Sequence, residues 1–224
     1  MSWISKKLRA FIPHKISNNM VLSFFEITRS KNRTLKREYC YHLESNNKAF
    51  SGHVDKIKRN GGYIEDQHFY KDMVFGKTTM QYAGCEIIAT YNALVDLDGY
   101  ISLPQLIAEY EKDGMALSGR FGTSPKAIKD FFNRHGYKTK MSVRSDEFEE
   151  LAKHSKSLIL TMYNDKDDIG KQVHTVCISK VHSRYIAHNV YGNGRVAGPF
   201  DSVSQLLINI NKGRIKPISL IGVK

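Results

Sequence analysis

Apolar positions along this chain follow two successive patterns. From Glu86 to Leu97 they fall at Ile87, Ile88, Tyr91, Leu94 and Val95, the spacing of one helical face, and Asp98-Gly99 stops that helix. Ser102-Leu103-Pro104-Gln105 has the form of a capping box and predicts a second helix to about Lys112. Ser124-Pro125 sets a cap residue before a proline at the first helical position. The helix it opens runs through Ile128, Phe131 and Phe132 and ends at Gly136. Ser145, followed by Asp146 and Glu147, opens a fourth.

From Ser157 onward the runs become short and strand-like. They are Ser157–Tyr163, Gln172–Lys180, Arg184–Val190, Arg195–Gly198 and Arg214–Val223. Asn193-Gly194 is a hairpin-turn signal between two of them, and Asp201–Asn211 reads as a short helix before the last. Helices that cluster first and an antiparallel sheet that follows make an α+β chain.

The first third has a different character. Residues 41–75 are polar, rich in Gly, Asn and His, and read as irregular. In residues 1–40, Trp3, Ile4, Leu8, Phe11 and Ile12 fall near one helical face, with Lys6, Lys7 and Arg9 elsewhere. That pattern suits an interfacial amphipathic helix or a helix packed on the protein's own surface. The expected division is a basic N-terminal extension or pro-segment over 1–75 and one domain over 76–224.

Composition adds two constraints. With 224 residues, 41% of them hydrophobic, the chain can bury an ordinary core. Its net charge is +12, and residues 1–40, with nine basic residues against two acidic ones, hold +7 of it. An anionic surface, membrane or nucleic acid, is therefore a candidate partner for residues 1–40. No apolar run reaches the ~18–20 residues that span a bilayer. No secretory pattern opens the chain, so no transmembrane segment and a cytoplasmic location are expected. Cys40, Cys85 and Cys177 show no CxxC spacing, which favours free thiols in a reducing compartment.

One of these cysteines stands in a chemically suggestive place. In Met80-Gln81-Tyr82-Ala83-Gly84-Cys85-Glu86-Ile87-Ile88, Cys85 lies where a loop becomes a helix. Helix N-terminal N–H groups favour a thiolate and can hold an oxyanion, and Gly84 permits a close backbone approach. Cys177 lies three residues after His174 in a strand run and should face the opposite way, into the core. Cys40 lies in a charged segment with no helix start after it. His174 sits in an otherwise apolar strand. Asn189 lies on the next strand, where a hairpin can bring it to the imidazole and fix its tautomer. Asn193 is better explained by turn chemistry, and His188 should point away from the side of Asn189.

The order Cys on a helix start, His on a strand and Asn on the following strand resembles the papain-like fold. Residues 83–94, Ala-Gly-Cys-Glu-Ile-Ile-Ala-Thr-Tyr-Asn-Ala-Leu, with Phe-Gly-Thr-Ser-Pro-Lys-Ala-Ile at 121–128 and Gly136-Tyr137, are similar to the bacterial double-glycine leader peptidases and their stand-alone relatives. The resemblance spans roughly residues 75–220. It implies a cysteine peptidase acting on a peptide or protein. Cys85 is then the nucleophile, His174 the general base and acid, Asn189 its orienter, and Gln81 with the Cys85 N–H the oxyanion donors. The chain departs from the pattern at two places. Gln81 precedes Cys85 by four residues, not the family's usual six, and Thr79 occupies the usual position. Glu86 stands where the family has Trp or Gly. Transglutaminase-like acyl transfer uses the same residue order, and a silent module that binds anions through residues 1–40 is the non-enzymatic alternative. No histidine pair has metal-ligand spacing, no phosphate loop is present, and no cofactor is expected. Asp165–Asp168 reads as a solvated hairpin tip.

Overall fold

The computed structural model describes residues 17–31, 36–165, 173–191 and 195–224, and only the backbone of residues 36–41 and 211. The apolar face of residues 3–12, Asp167 and Asp168 of the acidic loop, the Asn193-Gly194 turn and the side chain of Cys40 lie outside the described residues. The described chain is α+β, with helices first and a six-stranded antiparallel sheet after them.

Helix α1, Asn18–Thr28, is capped by the Ser17 hydroxyl and buries Val21, Leu22 and Phe25. It leads into β1, Arg29–Lys31. Two helices follow, α2 over Lys36–Ser51 and α3 over Val54–Arg59. The irregular reading of residues 41–75 is thereby corrected. Periodicity failed there because the buried face of α2 is partly polar. Asn46, 1% exposed, uses its amide as a backbone stand-in. It donates to the Val74 carbonyl at 2.8 Å and accepts from the Val74 N–H at 2.7 Å. That satisfies both backbone groups of Val74, the first residue of β2, Val74–Phe75, which pairs with β3, Thr78–Thr79.

A single helical turn, α4, Met80–Ala83, then runs through Gly84 into α5, Cys85–Asp96. Gly84 has an ordinary backbone, φ −96°, and glycine is required there for space: a Cβ would lie 2.5 Å from the Met80 carbonyl oxygen. Helix α6, Leu103–Lys112, carries the expected capping box between Ser102 and Gln105. After β4, Asp113–Ala116, which pairs with β1, helix α7 covers Pro125–Arg134. Ser124 holds the cap position, but its hydroxyl donates to Glu26 of α1 and does not close the cap. The expected fourth helix is a 3₁₀ turn at Ser145–Glu147 that continues as α8, Phe148–Lys153.

The large sheet runs in the order β5 (Thr139–Ser142), β10 (Lys216–Val223), β6 (Ser157–Tyr163), β7 (Val173–Val181), β8 (Arg184–His188) and β9 (Val196–Phe200), with α9 (Val203–Asn209) before the last strand. It is covered on both faces. Ile159, Cys177, Ile221 and Val223 join the core of α5, α6 and α7, with Phe131 and Phe132 at 0% exposure. Leu158, Leu160, Met162, Val176 and Ile178 pack on α8 and α9. Strand β6 is buried at every position, which explains why it reads as a continuous apolar run. Ile57, Ile64, Tyr70, Met73 and Phe75 belong to the same core as α5.

The α1 region docks by charge as well as by apolar contact. Arg29 donates to Asp113 at 2.9 Å and to Asp130 at 2.8 Å and lies 3.4 Å from Glu26, with its side chain 3% exposed. This guanidinium is fully engaged inside the protein, so of the basic residues in 1–40 it is not one that an anionic surface could reach. Among the described residues no helix is long and apolar enough to cross a membrane.

Candidate active site

Cys85 opens α5 and is 6% exposed. The helix packs across β7, and the backbone of Thr175, the residue after His174, hydrogen-bonds the sulfur. Tyr191, just beyond β8, stacks on the His174 ring with centroids 4.0 Å apart. Its hydroxyl is pushed up by burial and by the neighbouring Cys85 and Glu86. Cys85, Glu86, His174 and Thr175, all buried, therefore meet the half-buried Tyr191 in one cluster.

His174 is 0% exposed. Its Nε2 lies 2.6 Å from the main-chain carbonyl of Asn189. The sequence reading expected this residue, and its partner atom differs from the amide that a side-chain orienter would use. Asn189 adopts φ +59°, the left-handed conformation that Asn tolerates better than most residues. That turn ends β8 and aims the carbonyl at the imidazole. The Asn189 amide is used elsewhere: Oδ1 accepts from the Gln67 N–H at 3.1 Å, and Nδ2 donates to Gln67 Oε1 at 3.1 Å. A carbonyl only accepts, so Nε2 carries the ring hydrogen and Nδ1 is a bare lone pair. That Nδ1 is buried without a hydrogen-bond partner among the described residues. Burial, opposed by the Asn189 bond, pushes His174 down to about 4, so the ring is neutral at pH 7.

The thiol hydrogen of Cys85 goes to Glu86 Oε2 at 3.2 Å. Glu86 is itself 2% exposed and is held by its own N–H and that of Thr123. Burial pushes its carboxyl up to about 7. The thiol is raised well above its ordinary range, first by burial and then by the Glu86 charge. The N-terminal field of α5 was expected to favour a thiolate; here the adjacent carboxylate shares that field. The resting pair is a neutral thiol and a neutral imidazole.

Gln81 lies on α4, partly exposed. Its N–H donates to the Tyr70 carbonyl at 3.3 Å, and its carbonyl accepts from Gln67 Nε2 at 3.0 Å. Its side-chain amide makes no hydrogen bond among the described residues. His188 faces away from the cluster: Nδ1 meets Glu65 at 2.7 Å and Nε2 meets Ser179 at 2.8 Å. Cys177 is 0% exposed in the core on the α5 side of β7.

Sequence reasoning named Cys85, His174, Asn189 and Gln81. It noted Glu86 only as a departure from a pattern, and it passed over Thr175, Tyr191 and Gln67. The signal for Glu86 was present, since an acidic residue beside Ile87 and Ile88 in an apolar helix must be buried with a partner. Gln67 joins Asn189 to Gln81 across more than a hundred residues, and nothing local in the sequence marks such a contact. No protein-family model, no curated protein and no solved structure matches this chain.

Proposed function

We propose that the chain is a papain-like cysteine peptidase that hydrolyses a peptide or isopeptide bond through an acyl-enzyme on Cys85. The observation that supports this most strongly is the His174 ring: one nitrogen held as a donor by a fixed carbonyl, the other a buried lone pair without a partner among the described residues, in the same cluster as a helix-start thiol. A buried polar atom without a partner is costly, and the cost is accounted for if Nδ1 serves a transient proton.

In this reading, substrate turns the thiol from Glu86 toward His174. Nδ1 takes the proton while Sγ attacks the carbonyl carbon. The imidazolium then gives that proton to the leaving amine, and water, deprotonated by the same nitrogen, releases the acyl group. The Asn189 carbonyl is well placed to support the imidazolium. The Cys85 N–H and the unengaged amide of Gln81 are the donors for the oxyanion. Transglutaminase-like transfer shares every step up to the thioester, and no residue of the cluster favours it over hydrolysis.

The test is a mixed fluorogenic peptide library with the full chain, its Cys85→Ser variant and its His174→Ala variant, with hydroxylamine added in parallel. Turnover lost in both variants supports the reading, and hydroxamate in the product reports transfer. Turnover that survives Cys85→Ser, or labelling of Cys85 by peptide aldehydes no faster than that of Cys177, would sink it.

A further inference from the structure

Peptide hydrolysis by Cys85 and His174 assigns no task to Glu86, yet Glu86 takes the thiol hydrogen of the nucleophile. Its carboxylate oxygen lies 3.2 Å from Sγ. The site around it is built: the Thr123 N–H points at the carboxyl, and Gly122 walls it, since a Cβ there would lie 2.8 Å from Oε2. Gly122 has φ +72°, so glycine is suited to that wall for two reasons. The titratable groups facing Glu86 are Cys85 on its own helix, Tyr110 of α6, and Tyr191 beyond β8, which bears on β7 through His174. No cation of the described residues pairs with it.

We infer that Glu86 governs the nucleophile: ionised, it holds the thiol hydrogen and opposes a second negative charge on Sγ, and neutral, it lets Cys85 become a thiolate. This deepens the hydrolase reading and rests on it for its purpose, although not for its measurement. Like charges this close cannot both form cheaply. When the carboxylate takes up a solvent proton, the opposition disappears. The thiol proton can then pass from Sγ to Nδ1 of His174; the S–H bond breaks, the N–H bond forms, and the Glu86 hydroxyl donates to the new thiolate. Burial sets the carboxyl at about 7, so the switch lies where a cell can use it. A substrate that displaces the carboxylate from Sγ would have the same effect.

The experiment is iodoacetamide labelling of the intact protein from pH 5 to 9, with Cys85 and Cys177 followed separately by peptide mass spectrometry. In Glu86→Gln the midpoint for Cys85 should fall by at least about one pH unit, which is about tenfold faster labelling at a fixed pH above about 7, where wild-type Glu86 is ionised, and below both midpoints, with Cys177 unchanged. An unchanged midpoint overturns the inference. If Glu86→Gln does not fold, the wild-type protein decides. The Glu86 carboxyl, followed by carbon NMR, should titrate near pH 7 and move upward when Cys85 is alkylated and its hydrogen bond to Glu86 is lost; a midpoint indifferent to alkylation overturns the inference. His174→Ala separates the two ideas. Cys85 labelling indifferent to His174→Ala counts against the hydrolase reading and leaves the role of Glu86 standing.

Discussion

A thiol lies beside a carboxylate of helix α5 at each of its ends, Cys85 of the helix itself at the first and Cys177 of β7 at the last, and the two ends are built for opposite purposes. At its last residue, Asp96 accepts from Tyr63 at 2.7 Å, from Ser157 and Ser179 at 2.5 Å each, and from Cys177 at 3.5 Å. Ser179 passes the network to His188, His188 to Glu65, and Glu65 to the Asn189 N–H. Tyr63 stacks on His188 with ring centroids 4.1 Å apart and an interplanar angle of 5°. At the first residue, Cys85 has one carboxylate and the Thr175 backbone, and the same cluster holds an imidazole nitrogen with no partner among the described residues. Both thiols are raised by burial. What separates them is satisfaction of the neighbouring polar atoms. A saturated network fixes geometry, and an unsaturated one leaves capacity for a proton to move.

Asp96→Ala would leave three hydroxyls and a thiol without their acceptor, and a loss of about 3–5 kcal/mol in urea unfolding is expected. Glu86→Gln alters a carboxyl that is more deeply buried than Asp96 but has one side-chain donor instead of four, and should cost less than about 1 kcal/mol at pH 7.5. Equal costs at the two ends would show that they do not differ in kind.

Acid titration sharpens the same contrast. His174 falls from an ordinary 6.5 to about 4, so the unfolded chain binds a proton that the folded one refuses. Its contribution to stability is intact above 6.5 and is lost as pH falls toward 4, a change of about 3 kcal/mol. Glu86 rises from 4.5 to about 7 and acts in the other sense, since its folded form holds a proton that the unfolded form has released. That contribution is present below 4.5 and is lost as pH rises to 7. In the wild-type protein the two slopes largely cancel between 4.5 and 6.5. Glu86→Gln should therefore uncover a fall in stability of about 3 kcal/mol on acidification from pH 6.5 to 4, measured by urea melts at each pH. A pH dependence identical to wild type would refute the opposed pair. A smaller effect is expected of Ser179→Ala, which cuts Asp96 from His188: about 1–2 kcal/mol, with Cys85 labelling unchanged.

These two ends were unequally legible in the sequence. The helix itself, its stop at Asp98-Gly99, the capping box of α6 and the strand β6 follow from period and punctuation, and these elements bury mostly apolar side chains. The nucleophile end was legible because a helix-start cysteine and a strand histidine are local signals. The Asp96 end was not. Its partners, Tyr63, Ser157, Ser179, His188 and Glu65, are polar residues that any surface could carry, and only the pairing of β6, β7 and β8 brings them together. The same holds for α2, where Asn46 occupies a buried position that a hydrophobicity pattern assigns to solvent. Polar satisfaction at long range leaves no period.

Asn189 is where sequence reasoning named the residue and its chemistry ran through a different atom, and that difference yields the finest test. A side-chain orienter would be destroyed by any truncation. A carbonyl orienter needs only the left-handed turn, which glycine adopts freely. Asn189→Gly should keep the Nε2 contact and leave Cys85 labelling within about threefold of wild type. The stability loss should be about 1 kcal/mol, from the two bonds to Gln67 and from added backbone freedom in the unfolded chain. His174→Ala should change the labelling profile far more. If Asn189→Gly instead matched His174→Ala, the amide would have to reach the ring during reaction, exchanging Gln67 for His174. The saturated bond between Gln67 and Asn189 argues against that exchange: it would orphan the Gln67 N–H and Oε1 in a site where both residues are under 5% exposed.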